Sequence, residues 1–411
     1  MPDAGAPDSC LKSEGVCMDA RQRGTVMALG FCGLVSAADN WFVSPALPSI
    51  ANTLGVLPSV ATIILTAYLI PYGCLQPVCG ALGDKVGRLR MLRIIVCGLT
   101  VSTVLCSMAS SLEMLIVARV ITGCFAAGII AVSQVLAGDA VSAEDRPRAI
   151  ALLMGITYAG QGLSAGLGGA ITGLVGWRAA FMSFAVLGVI ALLGLSRLHE
   201  SADDRAARAA DAQGAGLVDM VRLSGHLVLG VGRKVYGTAL ATGVIFLGVY
   251  GFFGTFLAER CGLDAMQAGL LMMGYGFACL VGSALTGRLA GRIGVARTLA
   301  LGEIAGLCSI ALLLAAQATT SWVPALAAAV LLGAGYIMVQ PTLATRALGL
   351  DAQHAGLCTG FTGFGMFVGG GIGSTLGRML LGAGGYGLLW IAAAIALVVQ
   401  LIVSLRLYAG E

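Results

Sequence analysis

Twelve apolar segments, each long enough to cross a membrane, occupy most of this 411-residue sequence. A helix rises about 1.5 Å per residue, so about 20 apolar residues cross the roughly 30 Å hydrocarbon core of a bilayer. Only 11% of the residues are charged, whereas soluble domains carry about a quarter. The sequence therefore predicts an all-α membrane protein. The predicted spans are 24–47, 58–82, 92–110, 112–137, 148–173, 178–197, 234–257, 264–287, 297–317, 321–345, 354–381 and 384–406.

A polar stretch divides these spans into two groups of six. The predicted organisation is a polar tail (1–23), an N-terminal bundle (24–197), a linker (198–233) and a C-terminal bundle (234–411). Lys and Arg concentrate in cytoplasmic loops of membrane proteins. With both termini on the cytoplasmic side, twenty of the 24 Lys and Arg lie there, two lie outside and two lie within spans. We therefore expect a multi-pass protein of the inner (plasma) membrane with both termini cytoplasmic.

The loop between the second and third spans is the most strongly charged short segment. Residues 80–90 read Gly-Ala-Leu-Gly-Asp-Lys-Val-Gly-Arg-Leu-Arg, and a related segment, 287–297, follows the eighth span. The second copy has Gly291 where the first has its acid. The chain therefore looks like two related halves, and a duplicated helical membrane protein is most often a transporter.

The first copy resembles the signature loop between helices 2 and 3 of the major facilitator superfamily. The matching residues are Gly80, Asp84, Gly87, Arg88 and Arg90. Other segments resemble the same family, namely Arg119 with Gly123, the segment 145–149, and Trp177-Arg178 with Phe181. Gly160, Gly168 and Gly169 resemble the antiporter motif of its drug/proton exporters, which has Gly-Pro where this chain has Ser164-Ala165. The resemblance implies twelve helices in two pseudo-symmetric six-helix bundles, and a role in proton transfer for Arg119.

The same loop predicts a cytoplasmic gate. Asp84 is expected to face the positive end of the eleventh helix, which begins near His354. Arg88 is expected to bridge Asp84 and Asp139 when the cytoplasmic side is closed. The predicted gating residues are Gly80, Asp84, Gly87, Arg88, Arg90 and Asp139. The alternative is that the loop charges only fix the topology.

Charged residues within spans are costly and mark functional sites. Asp39 lies beyond the membrane midplane, and a carboxylate removed from water holds its proton more tightly, so Asp39 is the candidate for proton coupling. The alternatives for Asp39 are a charge that binds cationic substrates or a structural acid. Arg119 could tune Asp39, hold an anionic substrate or bond to backbone carbonyls. Glu303 and Arg378 lie nearer span ends and are expected to reach the interface.

Polar and aromatic side chains in several spans are candidates for lining a central substrate cavity. For any one of them, packing or lipid contact is the alternative. The candidates are Asn40, Trp41, Tyr68, Tyr158, Gln161, Tyr250, Tyr336 and Gln340.

Together these features predict a secondary transporter that exports small drug-like or metabolite-like solutes by proton antiport and alternating access. The alternatives are a proton symporter or facilitator importing a sugar or organic acid, and a transporter-like sensor or scaffold. The sequence shows no nucleophile–base set or metal cluster, so we expect no enzyme activity and no cofactor other than the proton gradient. The expected partners are a small-molecule substrate, protons and the lipid bilayer, without nucleic acid, and the protein is expected to be monomeric.

Overall fold

The computed structural model describes residues 18–56, 58–61, 63–199, 222 and 224–408. Every long regular element within these residues is a helix. The predicted tail (1–23) and linker (198–233) therefore lie mostly outside the described residues. The long helices are α1 (Ala20–Trp41, continued by Val43–Leu54), α2 (Ile63–Val86), α3 (Arg88–Ser107), α4 (Leu112–Asp139), α5 (Arg146–Leu174), α6 (Trp177–Ser196), α7 (Arg233–Thr242 and Gly248–Cys261, joined by a π-helical turn, Gly243–Leu247), α8 (Ala265–Ile293), α9 (Val295–Thr319), α10 (Trp322–Leu348), and α11 and α12 (together Ala355–Leu407).

These helices account for the twelve predicted spans. In the described part of the chain, ten helices are long and apolar enough to cross a membrane, with Ala355–Leu407 counted once. That helix breaks at Gly384 and Gly385, where Gly385 has a φ of 68°, a conformation that glycine adopts without steric cost. The break separates α11 from α12. The remaining span is α1, which carries the buried Asp39.

The first helix begins earlier and ends later than the sequence predicts. Asp19 caps α1, because its side chain accepts a hydrogen bond from the backbone N–H of Gln22 at 2.8 Å. The Gln22 side chain in turn accepts from the backbone N–H of Asp19 at 3.0 Å. This capping box starts the helix at Ala20 rather than at residue 24. The continuation reaches Leu54, beyond the predicted end at residue 47.

The two six-helix bundles meet closely along α2–α11 and α5–α8. A Cβ atom on Gly80 would overlap the backbone carbonyl of Gly356 at the start of α11. A Cβ on Gly162 would lie 2.6 Å from the backbone nitrogen of Gly276, closer than real Cβ contacts. Such contacts require glycine because the backbones themselves touch. We call the end of the protein that carries the α2–α3 turn the loop end, and the Gly80–Gly356 contact joins the two bundles there.

Candidate proton and substrate site

A buried ion pair lies at the centre of the N-terminal bundle. Arg119 Nη1 on α4 donates to Asp39 Oδ2 on α1 at 2.8 Å, and the two side chains are 0% and 1% exposed. Thr103 on α3 donates its hydroxyl to the other carboxylate oxygen at 2.9 Å. Three helices therefore converge on one carboxylate, and both of its oxygens accept a hydrogen bond. A buried charge is tolerated in a protein interior when it is paired and hydrogen-bonded in this way.

Arg119 has further partners that do not depend on the carboxylate charge. Its Nη1 also donates to the backbone carbonyl of Asp39 at 3.2 Å, and its Nη2 donates to Asn40 Oδ1 at 3.3 Å. The guanidinium carbon lies 4.5 Å from the centre of the Tyr68 ring and 5.7 Å from that of Phe181. Aromatic faces attract cations. If Asp39 takes up a proton, Arg119 still has acceptors and ring faces around it.

A small cavity lies next to this pair, between the two bundles. Its volume is about 20 Å³, enough for a water molecule and too small for a drug-sized solute. A solute of that size would fit here only after the surrounding helices moved. The lining residues are Ser36, Ala37, Asn40, Trp41, Tyr68, Tyr72, Ile130, Thr157, Tyr158, Gln161, Leu247 and Phe367.

Tyr68 connects the ion pair with the cavity. One face of its ring contacts Arg119, and its hydroxyl donates to the backbone carbonyl of Ser36 at 3.3 Å. Tyr68 and Ser36 both line the cavity. A movement of Arg119 that follows protonation of Asp39 would therefore reach the cavity wall through a single side chain.

Some of the predicted cavity residues line the cavity and others do not. Five of the eight line the cavity, namely Asn40, Trp41, Tyr68, Tyr158 and Gln161. Tyr250 and Tyr336 lie behind them, where Tyr250 packs edge-on against Trp41 and Tyr336 OH lies 3.3 Å from Tyr158 OH. Gln340 on α10 is buried, but it is not part of the cavity wall.

Sequence reasoning missed several residues of the site. Tyr72 lies one helical turn from Tyr68 and stacks on it with ring centres 5.4 Å apart, a spacing that the sequence displays. Ser36 lies one turn before Asn40 in the same way. Thr103 carried no signal, because a threonine in an apolar helix usually bonds to its own backbone, as this one also does to Leu99.

Aromatic pairs join the bundles around the cavity. Trp41 meets Tyr250 at a centroid distance of 5.3 Å, and Tyr72 on α2 meets Phe367 on α11 at 4.5 Å. Tyr158 on α5 meets Tyr336 on α10 at 4.8 Å. Edge-on aromatic pairs add about 0.5–1.5 kcal/mol beyond the area that they bury. These contacts hold the cavity in its narrow form.

At the loop end, Arg88 and Asp139 form an ion pair between α3 and α4. Gly87 has a φ of 102°, which explains the glycine at the turn between α2 and α3. The side chain of Asp84 lies outside the described residues, so its predicted contact with α11 is a prediction still. Thr359 on α11 donates to the carbonyl of Ala131 on α4 at 3.3 Å, a further contact between the bundles.

One intramembrane residue lies elsewhere than predicted. Glu303 was expected to reach the membrane interface, but its side chain is 0% exposed. It accepts hydrogen bonds from Gln400 and Ser404 on α12. That expectation was wrong because the sequence does not show which face of α9 turns towards α12. Arg378, in contrast, is exposed on α11.

Proteins of similar sequence are transporters. "Uncharacterized MFS-type transporter EfpA" of Mycobacterium tuberculosis is 30% identical over 229 residues, which cover 54% of this chain and 42% of that protein. "Drug efflux pump JefA" of the same species is 33% identical over 188 residues, covering 45% and 37%. "Multidrug resistance protein fnx1" of Schizosaccharomyces pombe is 31% identical over 170 residues, covering 40% and 31%. The chain spans less than half the length of these curated relatives.

Solved structures share the fold. The human organic anion transporter MFSD10 (TETRAN) superposes with a TM-score of 0.73 at 15% identity, covering 94% of this chain and all of that one. The proton:xylose symporter XylE superposes with a TM-score of 0.74 at 15% identity, covering 93% and 94%. Both likenesses concern the fold alone.

The family itself follows from the sequence match. The sequence profile described as Major Facilitator Superfamily matches residues 29–351, which include the Asp39–Arg119 pair and the loop 80–90. Twelve helices in two bundles, a duplicated charged loop and a central cavity agree with that match. The chain belongs to the major facilitator superfamily, and its fold is the twelve-helix fold of those transporters.

Proposed function

We propose that this protein is a proton-coupled antiporter of the inner membrane, with both termini cytoplasmic, that exports small amphipathic solutes. The observation that carries the proposal is the buried Asp39–Arg119 pair beside the cavity. A carboxylate that is fully removed from water and held by one cation exchanges a proton when that cation moves. The drug efflux pump and the multidrug resistance protein among its relatives support the direction of transport.

Proton and substrate would then compete through Arg119 and Tyr68. With Asp39 ionised, Arg119 is held at 2.8 Å from it and lies against the Tyr68 ring. With Asp39 protonated, the ionic attraction is gone, and Arg119 keeps Asn40 and the ring faces as partners. Arg119 is then held less firmly, so it can shift together with Tyr68 against the cavity. Competition of this kind gives antiport, because substrate and proton favour different arrangements of one cluster.

Alternating access would follow from the contacts between the bundles. The cavity of about 20 Å³ holds no solute in the present arrangement, so the aromatic pairs around it must separate on one side. The Gly80–Gly356 contact between the bundles would close the cytoplasmic side, and the Arg88–Asp139 pair would hold α3 against α4 there. In this proposal the gating residues of the loop favour the state that is open to the outside.

The alternative is a proton symporter that imports an organic acid through Arg119. It is less well supported, because Arg119 in this arrangement binds Asp39 and Asn40 and not the cavity. Benzoate represents this alternative in the test below.

The test uses inverted membrane vesicles with an imposed acid-inside proton gradient. The quenching of an acridine dye reports the size of that gradient. Ethidium serves as the lipophilic cation and benzoate as the organic acid. We expect ethidium to discharge the gradient in vesicles with the wild-type protein and not with Asp39→Asn. Glu113→Gln, which changes an exposed acid in the first turn of α4, is the matched control and should behave as wild type. Proton-driven uptake of benzoate into whole cells, without ethidium-dependent discharge, would contradict export.

A further inference from the structure

The C-terminal bundle contains a second buried acid, Glu303, that the Asp39–Arg119 mechanism does not use. Glu303 lies eight residues into α9, about 12 Å along the helix from Val295. Its side chain is 0% exposed, and the residues around it on α12 and α7 are also buried. The acid is therefore removed from water at a depth where ionised groups are costly.

The hydrogen bonds around Glu303 are unevenly distributed. Oε1 accepts from Gln400 Nε2 at 3.0 Å and from Ser404 Oγ at 2.7 Å. Oε2 and the amide oxygen of Gln400 have no hydrogen-bond partner among the described residues. Both of these atoms are hydrogen-bond acceptors, so the cluster is missing either a donor hydrogen or a positive charge.

Within the described part of the chain, no cationic side chain pairs with Glu303. Lys234 on α7 donates to the carbonyl of Leu407 instead. Gly302, the neighbour of Glu303 on α9, packs against Val339 on α10. Measured along the helices from Glu303 and Val339, Arg297 on α9 and Arg346 on α10 lie about 9–10 Å closer to the loop end. On α12, Tyr408 OH lies 3.4 Å from Thr238 Oγ1, one helical turn from the cluster.

We propose that Glu303 is a proton-binding site of the C-terminal bundle, and that the bound proton fastens α7 to α12. A proton on Oε2 makes the acid neutral and turns one of the two orphaned acceptors into a donor. A hard metal cation fits less well, because such ions take about six or more oxygen ligands and the cluster offers two unused ones. The site is separate from the Asp39–Arg119 pair, which lies in the other bundle.

Gln400 transmits the state of this site to α7. Its Nε2 donates both to Glu303 and to Thr242 Oγ1, the latter at 2.8 Å. Thr242 is the last residue before the π-helical turn Gly243–Leu247, an irregularity that is frequent at functional sites. That turn ends at Leu247, which lines the cavity. Loss of the proton leaves an unpaired buried charge, which is relieved only when water enters between α7 and α12.

The first experiment is infrared spectroscopy of the full-length protein in lipid nanodiscs, without substrate. We expect the carbonyl band of a protonated carboxylic acid at pH 7, its loss in Glu303→Gln, and its retention in Glu113→Gln. A band that is the same in Glu303→Gln as in the wild type would overturn the proposal. Loss of the band on replacing K⁺ by Na⁺ at constant pH would assign the site to sodium and also overturn it.

The second experiment measures amide hydrogen exchange of α7 at matched pH in the wild type and in Glu303→Gln. We expect exchange in residues 233–247 to rise about tenfold more between pH 6 and pH 9 in the wild type than in Glu303→Gln, which mimics the neutral acid. The same pH profile in both would show that the proton does not fasten α7. Neither measurement involves transport, so failure of the proposed antiport and failure of this site are distinguishable.

Discussion

Each of the two bundles buries one acid well inside a membrane-spanning helix of the described chain, and the surroundings of the two acids differ. Asp39 in the N-terminal bundle has an arginine at 2.8 Å and a threonine hydroxyl on its second oxygen. Glu303 in the C-terminal bundle has an amide and a hydroxyl on one oxygen and nothing on the other. An ion pair allows a buried acid to stay charged, whereas burial without a cation favours the protonated acid, and neutral donors offset that preference only in part. If both proposals hold, the two halves of this duplicated fold carry two kinds of proton site.

The largest expected effect comes from making Asp39 resemble Glu303 by removing its cation. Arg119→Leu leaves a buried carboxylate without its partner, so we expect a loss of about 3–5 kcal/mol in stability and no transport. The measurement is thermal unfolding in detergent together with the vesicle assay. Arg378→Leu, at an exposed position in α11, is the control.

The double variant Asp39→Asn with Arg119→Leu removes both charges. We expect it to recover most of the lost stability and none of the proton coupling. An unchanged unfolding temperature in Arg119→Leu alone would show that the pair does not stabilise the bundle, and that the contrast between the two acids is only geometric.

The next-largest effects are expected when each acid is replaced by its neutral amide. Asp39→Asn keeps the shape and the Arg119 contacts, so we expect proton-driven export to be lost while passive exchange of ethidium across reconstituted vesicles continues. Glu303→Gln should keep proton-driven export with a slower turnover, because α7 stays fastened. Transport by each variant is measured with and without a pH gradient. Equal responses of the two variants would remove the distinction between the acids.

A third prediction concerns the close contact of Gly80 on α2 with Gly356 on α11, which joins the two bundles at the loop end. Gly80→Ala places a methyl group against the Gly356 backbone, so α2 and α11 must separate. We expect the alkylation rate of the buried Cys358 to rise about tenfold, equivalent to about 1.4 kcal/mol, as measured by mass spectrometry. Gly173→Ala, whose added methyl group would meet no atom within 4 Å, is the matched control. Identical rates in both variants would contradict a close contact at Gly80.

The smallest effects come from single hydroxyl donors. Thr103→Val removes one donor from Asp39, and a donor to a charged group contributes about 1.5–3 kcal/mol. Because that donor favours the ionised acid, the pH of half-maximal proton-coupled transport should rise, by about one to two units. Ser404→Ala removes one donor from Glu303 and should leave this transport midpoint unchanged. A downward shift in Thr103→Val would show that the hydroxyl does not stabilise the charge.

Much of the fold was predictable because hydrocarbon length and charge cost act locally. Apolar runs separated by charged turns gave twelve spans, and the break at Gly384–Gly385 lies close to the predicted boundary between residues 381 and 384. Helix ends were less predictable. The start of α1 at Ala20 depends on the Asp19–Gln22 capping box within a polar segment, which hydropathy does not detect.

The candidate site was predictable in its members and not in its arrangement. Asp39 and Arg119 were found because charged side chains are rare within apolar spans. Gln340 was included for its polarity, although it is buried outside the cavity wall. Thr103 was missed because a threonine in an apolar helix looks the same whether or not it bonds to another helix.

The sequence by itself determined the membrane class, the two-bundle organisation and the presence of two costly intramembrane charges in the first bundle. Only the tertiary structure decided that Asp39 meets Arg119 across 80 positions of sequence, and that Glu303 meets Gln400 across 97. The physical reason is that hydrophobicity is a property of each segment. The electrostatic environment of a buried acid depends instead on which helix faces meet, and helix packing sets those faces after the spans have formed.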